Sequence, residues 1–193
     1  MSDRRGKLYI ISGPSGVGKS TVLHEVFSAK PDLQFSVSVT TRKPRPGETD
    51  GVDYHFISDK RYDDLLAHGL LLEHASYSGN RYGTPAQPIW KWLESGKDVI
   101  LDIESVGMRN VKAKMPDAVS VFIAPPDWET LEQRLRSRAT ETEEKVLMRL
   151  KAAHREMDAS ERYDYIIVND EVARAAGEFL AVMSGERKDR KGE

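Results

Sequence analysis

No cysteine occurs among the 193 residues. That excludes disulfides and cysteine–metal sites, and it is compatible with a reducing compartment. An excess of either charge is also lacking. Lys and Arg number 29 against 31 Asp and Glu, for a formal net charge of −2. Composition therefore gives no reason to expect nucleic acid or a membrane surface as partner, and no obligate protein partner is evident. No apolar run reaches the roughly 20 residues of a membrane span, and Met1 to Lys7 lacks the apolar stretch of a signal peptide. A soluble cytoplasmic protein is the expectation. Internal repeats are absent, and the one biased segment is the polar tail from Gly185 to Glu193. The histidines (His24, His55, His68, His74 and His154) fall at no metal-ligand spacing, and no Ser/His/Asp arrangement follows from local spacing. A chain of this length fits one compact domain with room for inserted subdomains.

What is present starts near the N-terminus. Leu8 to Ile11 is a short apolar run that reads as a buried strand, and Ser20 to Ala29 has apolar residues at helical spacing. Between them lies Gly13-Pro14-Ser15-Gly16-Val17-Gly18-Lys19-Ser20, which fits G-x-x-x-x-G-K-[ST]. Strand, glycine-rich loop and helix form the context of a phosphate-binding loop. Glycines let several backbone N–H groups converge on phosphate, and the helix N-terminus adds favourable charge. Lys19 is placed to reach the β- and γ-phosphates and the Ser20 hydroxyl to ligand Mg²⁺, with Thr21 completing the loop. The stretch reads as a nucleoside triphosphate site.

Farther along, Phe35 to Val39 alternates like a strand. The run from Thr40 to Glu48 holds Pro44, Pro46 and Gly47, which forbid a helix and set Arg42 and Arg45 on a stiff extended loop. Planar guanidinium groups held this way suit bidentate phosphate binding, but on charge alone a solvated basic loop is the favoured description, since surface arginine is common. Tyr54 to Ile57 reads as a strand. Ser58 caps a helix with Tyr62, Leu65 and Leu66 on one face, ended at Gly69. Leu70 to Ala75 is a strand interrupted by Glu73, and Ser78-Gly79-Asn80 is a turn. Ala86 to Ser95 is a helix. Residues 36 to about 90 thus look like a small α+β unit set into the chain.

Asp98 to Ile103 is a strand with Asp102 near its C-terminal end, where a carboxylate either holds Mg²⁺, directly or through water, or serves as a turn residue. After a helix to about Met115, Val119 to Ile123 is the next strand. Asp127 caps a helix with Trp128, Leu131 and Leu135 in one stripe and Arg134 and Arg138 four apart on a shared face. Thr140 to Glu143 has capping-box spacing and opens a helix bearing Arg149. These arginines form either a lid over a transferring phosphate or a solvated, salt-bridged surface. Asp164 to Val168 is a strand and Glu171 to Gly185 a closing helix.

With these pieces in place, the chain resembles guanylate kinase from about Gly6 to Glu186. The diagnostic residues are Ser36 to Glu48 and Gly51 to Tyr54, with further matches at Leu72 to Ala75, Tyr82 to Thr84, Leu101 to Ile103, Arg138 to Arg149 and Ile167 to Asp170. The resemblance implies an α/β fold. It would have a P-loop three-layer parallel-sheet core (1–35, 96–126, 160–193), an inserted α+β nucleoside-monophosphate-binding subdomain (36–95) and a helical lid (127–159). It also implies transfer of the γ-phosphoryl group of ATP to GMP or dGMP, with Mg²⁺. By position, Gly13 to Thr21 and Asn169 bind ATP, with Asn169 at the adenine end. Ser38, Arg42, Arg45, Tyr54 and Tyr82 cradle the GMP phosphate. Glu73 and Thr84 read guanine, with Asp102 or Glu104 close to the base. Lys19, Arg42, Arg134, Arg138 and Arg149 serve catalysis.

Three positions depart from the family pattern. Glu104 stands where a second Asp is usual, Val106 where Gln precedes Gly107, and Ser137-Arg138-Ala139 where the lid has Gly-Arg-Gly. They bear on rate and base stringency rather than reaction class. Two other readings compete: a P-loop kinase with a different phosphorylated acceptor, against which the acceptor-loop match argues, and a phosphopeptide-binding module, against which the complete phosphate loop argues.

Overall fold

The computed structural model describes residues 4–77, 79–137 and 143–187. Two compact units emerge: Met1–Tyr9 with Leu33–Ala118, and Ile10–Asp32 with Val119–Glu193. Strand β1 (Leu8–Ser12) crosses from the first to the second. Each of its five residues is buried, which is why it reads as a continuous apolar run rather than an alternation.

The five-stranded sheet has the order β2 (Gln34–Phe35), β7 (Val99–Asp102), β1, β8 (Val119–Ala124), β9 (Tyr165–Val168). Its pairs β2–β7 and β8–β9 are parallel. The second unit also contains α1 (Lys19–Ala29), α5 (Trp128–Arg136), α6 (Glu143–Asp158) and α7 (Val172–Ser184). Asp127 caps α5 through its carboxylate, which accepts from the Thr130 N–H at 2.6 Å.

In the first unit a four-stranded sheet runs β4 (His55–Phe56), β3 (Val39–Thr40), β6 (Asn80–Pro85), β5 (Leu71–Tyr77). Helices α2 (Asp59–Ala67), α3 (Ala86–Glu94) and α4 (Ser105–Lys114) accompany it. Ser58 caps α2 by accepting from the Arg61 N–H.

Three local expectations change. Phe35 to Val39 is not one strand: Phe35 pairs with Ile100 in the parallel sheet, whereas Val39 pairs with Gly83 in the other. The strand at Tyr54 to Ile57 contracts to His55–Phe56. Leu66 is 38% exposed, so the buried stripe of α2 is centred on Tyr62, with Leu65 packed beside it. The capping box falls mostly on residues 140–142, outside the described residues. Among those described, no helix is long and apolar enough to cross a membrane.

Candidate functional site

The phosphate loop lies between β1 and α1. Gly18 forms the N-cap of α1 with φ 95°, a left-handed conformation that side chains disfavour, and a Cβ there would also lie 2.5 Å from Asn169 Nδ2. Val17 N–H donates to Pro14 O at 3.1 Å, tightening the curl, and Lys19 Nζ folds back to Gly13 O at 2.7 Å. Ser15, Ser20 and Thr21 are exposed, Pro14 and Val17 buried, and Gly16 intermediate. The Val17 carbonyl takes two long-range bonds, from Asn169 Nδ2 at 2.7 Å and from Arg134 Nη1 at 3.2 Å. Arg134 also donates from both Nη atoms to Asn169 O at 3.3 Å. Arg134 and Asn169 therefore brace the loop backbone.

Helices α5 and α6 are joined by side chains as well as by the chain. Arg136 donates to Glu132 at 2.8 Å and to both oxygens of Glu143 at 2.8 and 2.7 Å, and the Trp128 and His154 rings stack at 3.6 Å. Trp128 is thus half-buried in a ring stack, next to the buried Leu131 and Leu135. Arg149 lies half-buried on α6. Arg138 and Ala139 are outside the described residues, so the lid variant is not placed.

In the first unit, the proline-rich loop closes on itself. Glu48 N–H donates to Arg45 O at 3.0 Å, Pro46 and Gly47 are the central pair, and Gly47 has φ 89°. That is type II turn geometry, with Pro and Gly at the positions that favour them. The turn brings the Glu48 carboxylate back onto the loop. It accepts the Arg45 N–H at 2.7 Å and grips Arg42 with both oxygens, at 2.8 and 2.9 Å. Arg42 is only 11% exposed at its side chain and lies 5.3 Å from the Tyr54 ring and 5.7 Å from Phe56. Its hydrogen bond from Arg42 holds Glu48 below the usual carboxylate range, and the same bond raises Arg42.

Tyr82 meets Tyr54 edge to face at 5.9 Å, and Tyr62 fixes that strand by donating from its hydroxyl to Tyr82 O at 2.7 Å. Burial, then the Asp102 charge, push the Tyr54 hydroxyl up to about 12, so it stays a neutral donor. Arg45 is exposed, and Ser38 is intermediate, with its carbonyl accepting from His55 N–H.

A separate pair sits on the β5–β6 ladder. The register shifts between Leu71 and Glu73, so Leu72 is an extra residue, and Glu73 pairs directly with Thr84. This bulge explains three successive buried residues in a strand expected to alternate. Glu73 is 4% exposed, Thr84 is fully buried, and Thr84 Oγ1 donates to Glu73 Oε1 at 2.6 Å. Burial pushes the Glu73 carboxyl up, opposed by the Thr84 hydroxyl and the Lys114 charge. Asp102, the last residue of β7, is exposed, as is Glu104 at the N-cap of α4.

Comparison with known proteins decides the family. The family model for guanylate kinase matches residues 5–186. The chain belongs to the guanylate kinase family. Among curated relatives it is 49% identical to the guanylate kinase of Thermobifida fusca over 95% of this chain and 93% of that one. It is 48% identical to that of Streptomyces kasugaensis, over 96% and 92%. The crystal structure of guanylate kinase from Anaplasma phagocytophilum matches with TM-score 0.79 at 30% identity, over 97% of this chain and 92% of that one.

For a guanylate kinase, the sequence reading left out two features. Glu48 has no role assignable from its sequence position, although Pro46-Gly47 signals the turn that returns it to Arg42. The bracing of Val17 by Asn169 joins residues 152 apart, and no local pattern reports it.

Proposed function

We infer that this chain transfers the γ-phosphoryl group of ATP to GMP, or to dGMP, giving ADP and the corresponding diphosphate. The observation that carries the acceptor assignment is the buried Glu73–Thr84 pair. Guanine presents N–H donors at N1 and N2, which a carboxylate accepts. Adenine offers a lone pair at N1 and nothing at C2, which would leave the buried charge unpaired.

A phosphate oxygen of GMP attacks the γ-phosphorus, and the bond to the leaving ADP oxygen breaks, with no covalent enzyme intermediate. The chain supplies position and positive charge. Lys19 and the loop N–H groups bind the β- and γ-phosphates of ATP. Arg134 and Asn169 hold that loop, and the buried Asn169 Oδ1, which has no partner among the described residues, suits a donor such as the adenine amine. Arg149, with Arg138, adds charge from a lid spanning 127–159. Ser38, Arg42, Arg45, Tyr54 and Tyr82 bind the GMP phosphate within a subdomain spanning 36–95. Asp102 or Glu104, near the end of β7, is the further carboxylate assigned close to the base. The Ser20 hydroxyl and the Asp102 carboxylate are hard oxygen donors that suit Mg²⁺ shared with substrate phosphates and water. When bound, the ion would supply positive charge against the substrate phosphates.

The test is ADP release from ATP and Mg²⁺ with GMP, dGMP, AMP, CMP and UMP as separate acceptors. Turnover confined to the guanine nucleotides is the expected result. GMP binding without turnover on any acceptor would instead support a binding module.

Within this reading Glu48 fixes the orientation of Arg42 by holding its Nη1 and Nη2 groups, which positions the guanidinium charge for phosphate. Glu48→Gln weakens one charge-assisted pair, and we expect the KM for GMP to rise about ten-fold with kcat nearly unchanged. An equal fall in kcat with unaltered KM would show that Glu48 acts elsewhere.

A further inference from the structure

Helix α4 lies along β5 and is pinned to it on both sides of Glu73. Asn110 Nδ2 donates to His74 O at 3.2 Å and Lys114 Nζ to Leu72 O at 2.5 Å. Gly107, Asn110 and Lys114 are spaced i, i+3, i+7 and so share one helix face. At the first of these positions there is no side chain, and the space is taken. A Cβ built on Gly107 would lie 2.7 Å from Glu73 Oε2 and 3.2 Å from the Glu73 carboxyl carbon.

We propose that Gly107 is a specificity-determining position: its missing Cβ is what admits the Glu73 carboxylate in the orientation that reads guanine. The proposal rests on the assignment of Glu73 as the guanine reader. Oε1 is already committed to Thr84 at 2.6 Å, leaving Oε2, on the Gly107 side, as the oxygen with capacity to spare. The helix does not yield easily. Retreat of the helix would break the bonds from Asn110 and Lys114, and Glu73 is itself buried. With alanine at 107 the carboxylate is the group that moves, taking its acceptor lone pairs out of register with the two donors of guanine. Selectivity in this chain is then set from two elements, an acid on a strand and an absence on a helix.

The experiment uses the full chain carrying Gly107→Ala, Glu73→Ala or both, with kcat and KM for GMP and AMP and the melting temperature of each. We expect Gly107→Ala to raise the KM for GMP about ten-fold, with a smaller effect on kcat, and to narrow the GMP-to-AMP preference. In the Glu73→Ala background it should add less than about two-fold, since the group it displaces is gone. A merely structural glycine predicts the opposite: alanine favours a helix, so melting would rise and KM would not move.

An unchanged KM, or the same loss in both backgrounds, overturns the proposal and leaves the guanine assignment standing. Unchanged base preference in Glu73→Ala overturns both. If Gly107→Ala alone does not fold, the double variant should, and its failure to fold would place the conflict somewhere other than Glu73 and overturn the proposal.

Discussion

Lys19→Ala is expected to lower phosphoryl transfer by more than about a hundred-fold, the scale on which a single preorganised charge-stabilising donor acts. The ammonium group folds over the loop onto Gly13 O, so it is held in place before substrate arrives and loses little freedom on binding phosphate. GMP affinity, measured by calorimetry without ATP, should stay unchanged, because the residues assigned to GMP belong to the other unit. Lys19→Arg should not restore the rate, since a planar fork does not replace a compact charge on a shorter reach. Retained turnover in Lys19→Ala would remove Lys19 from the mechanism.

Glu73→Gln has the second large effect, and it runs in opposite directions for activity and stability. An amide offers one acceptor and one donor where guanine brings two donors. With charge-assisted hydrogen bonds weighing about 1.5–3 kcal/mol, kcat/KM for GMP should fall on the order of a hundred-fold while AMP is barely affected. Burial raises the pKa of Glu73 above its ordinary value, so the folded protein holds this proton more tightly than the unfolded chain. Its contribution to stability is therefore fully present below the unfolded pKa and is lost as pH rises through the folded one. At neutral pH the ionised carboxylate costs stability, and the glutamine variant should melt higher. The stability difference between variant and wild type should grow as pH rises through that window. KM for GMP should rise in wild type as pH falls through the same raised pKa, and Glu73→Gln should lack that limb. A flat difference in melting temperature across the range would show that Glu73 does not titrate as its burial implies.

The parts of this protein legible from sequence are those whose cause is local. The phosphate loop is written in eight consecutive residues. The helices carry their own caps, as Ser58 and Asp127 show. The run from Phe35 to Val39 looks like one strand in sequence because alternation reports which face is buried but not which strand is the partner. Its two ends pair in different sheets. Glu73 interrupts an apolar strand in sequence, because a bulge is a property of two strands in register and one strand alone does not show it. In the same way, arginines at 134 and 138 share a helix face by spacing alone. That Arg134 holds two backbone carbonyls depends on chain brought in from residues 17 and 169.

That last contact bears on how the working protein comes into being. Val17 emerges early in synthesis, but the side chain that braces its carbonyl arrives 152 residues later. A contact of such separation closes a long loop and cannot form before its distant partner has been made. The phosphate loop therefore reaches its braced form only after the end of β9 has docked, and shorter nascent chains hold the whole loop sequence without its support. The braced form of the loop is in this sense a report that the last strand has been placed.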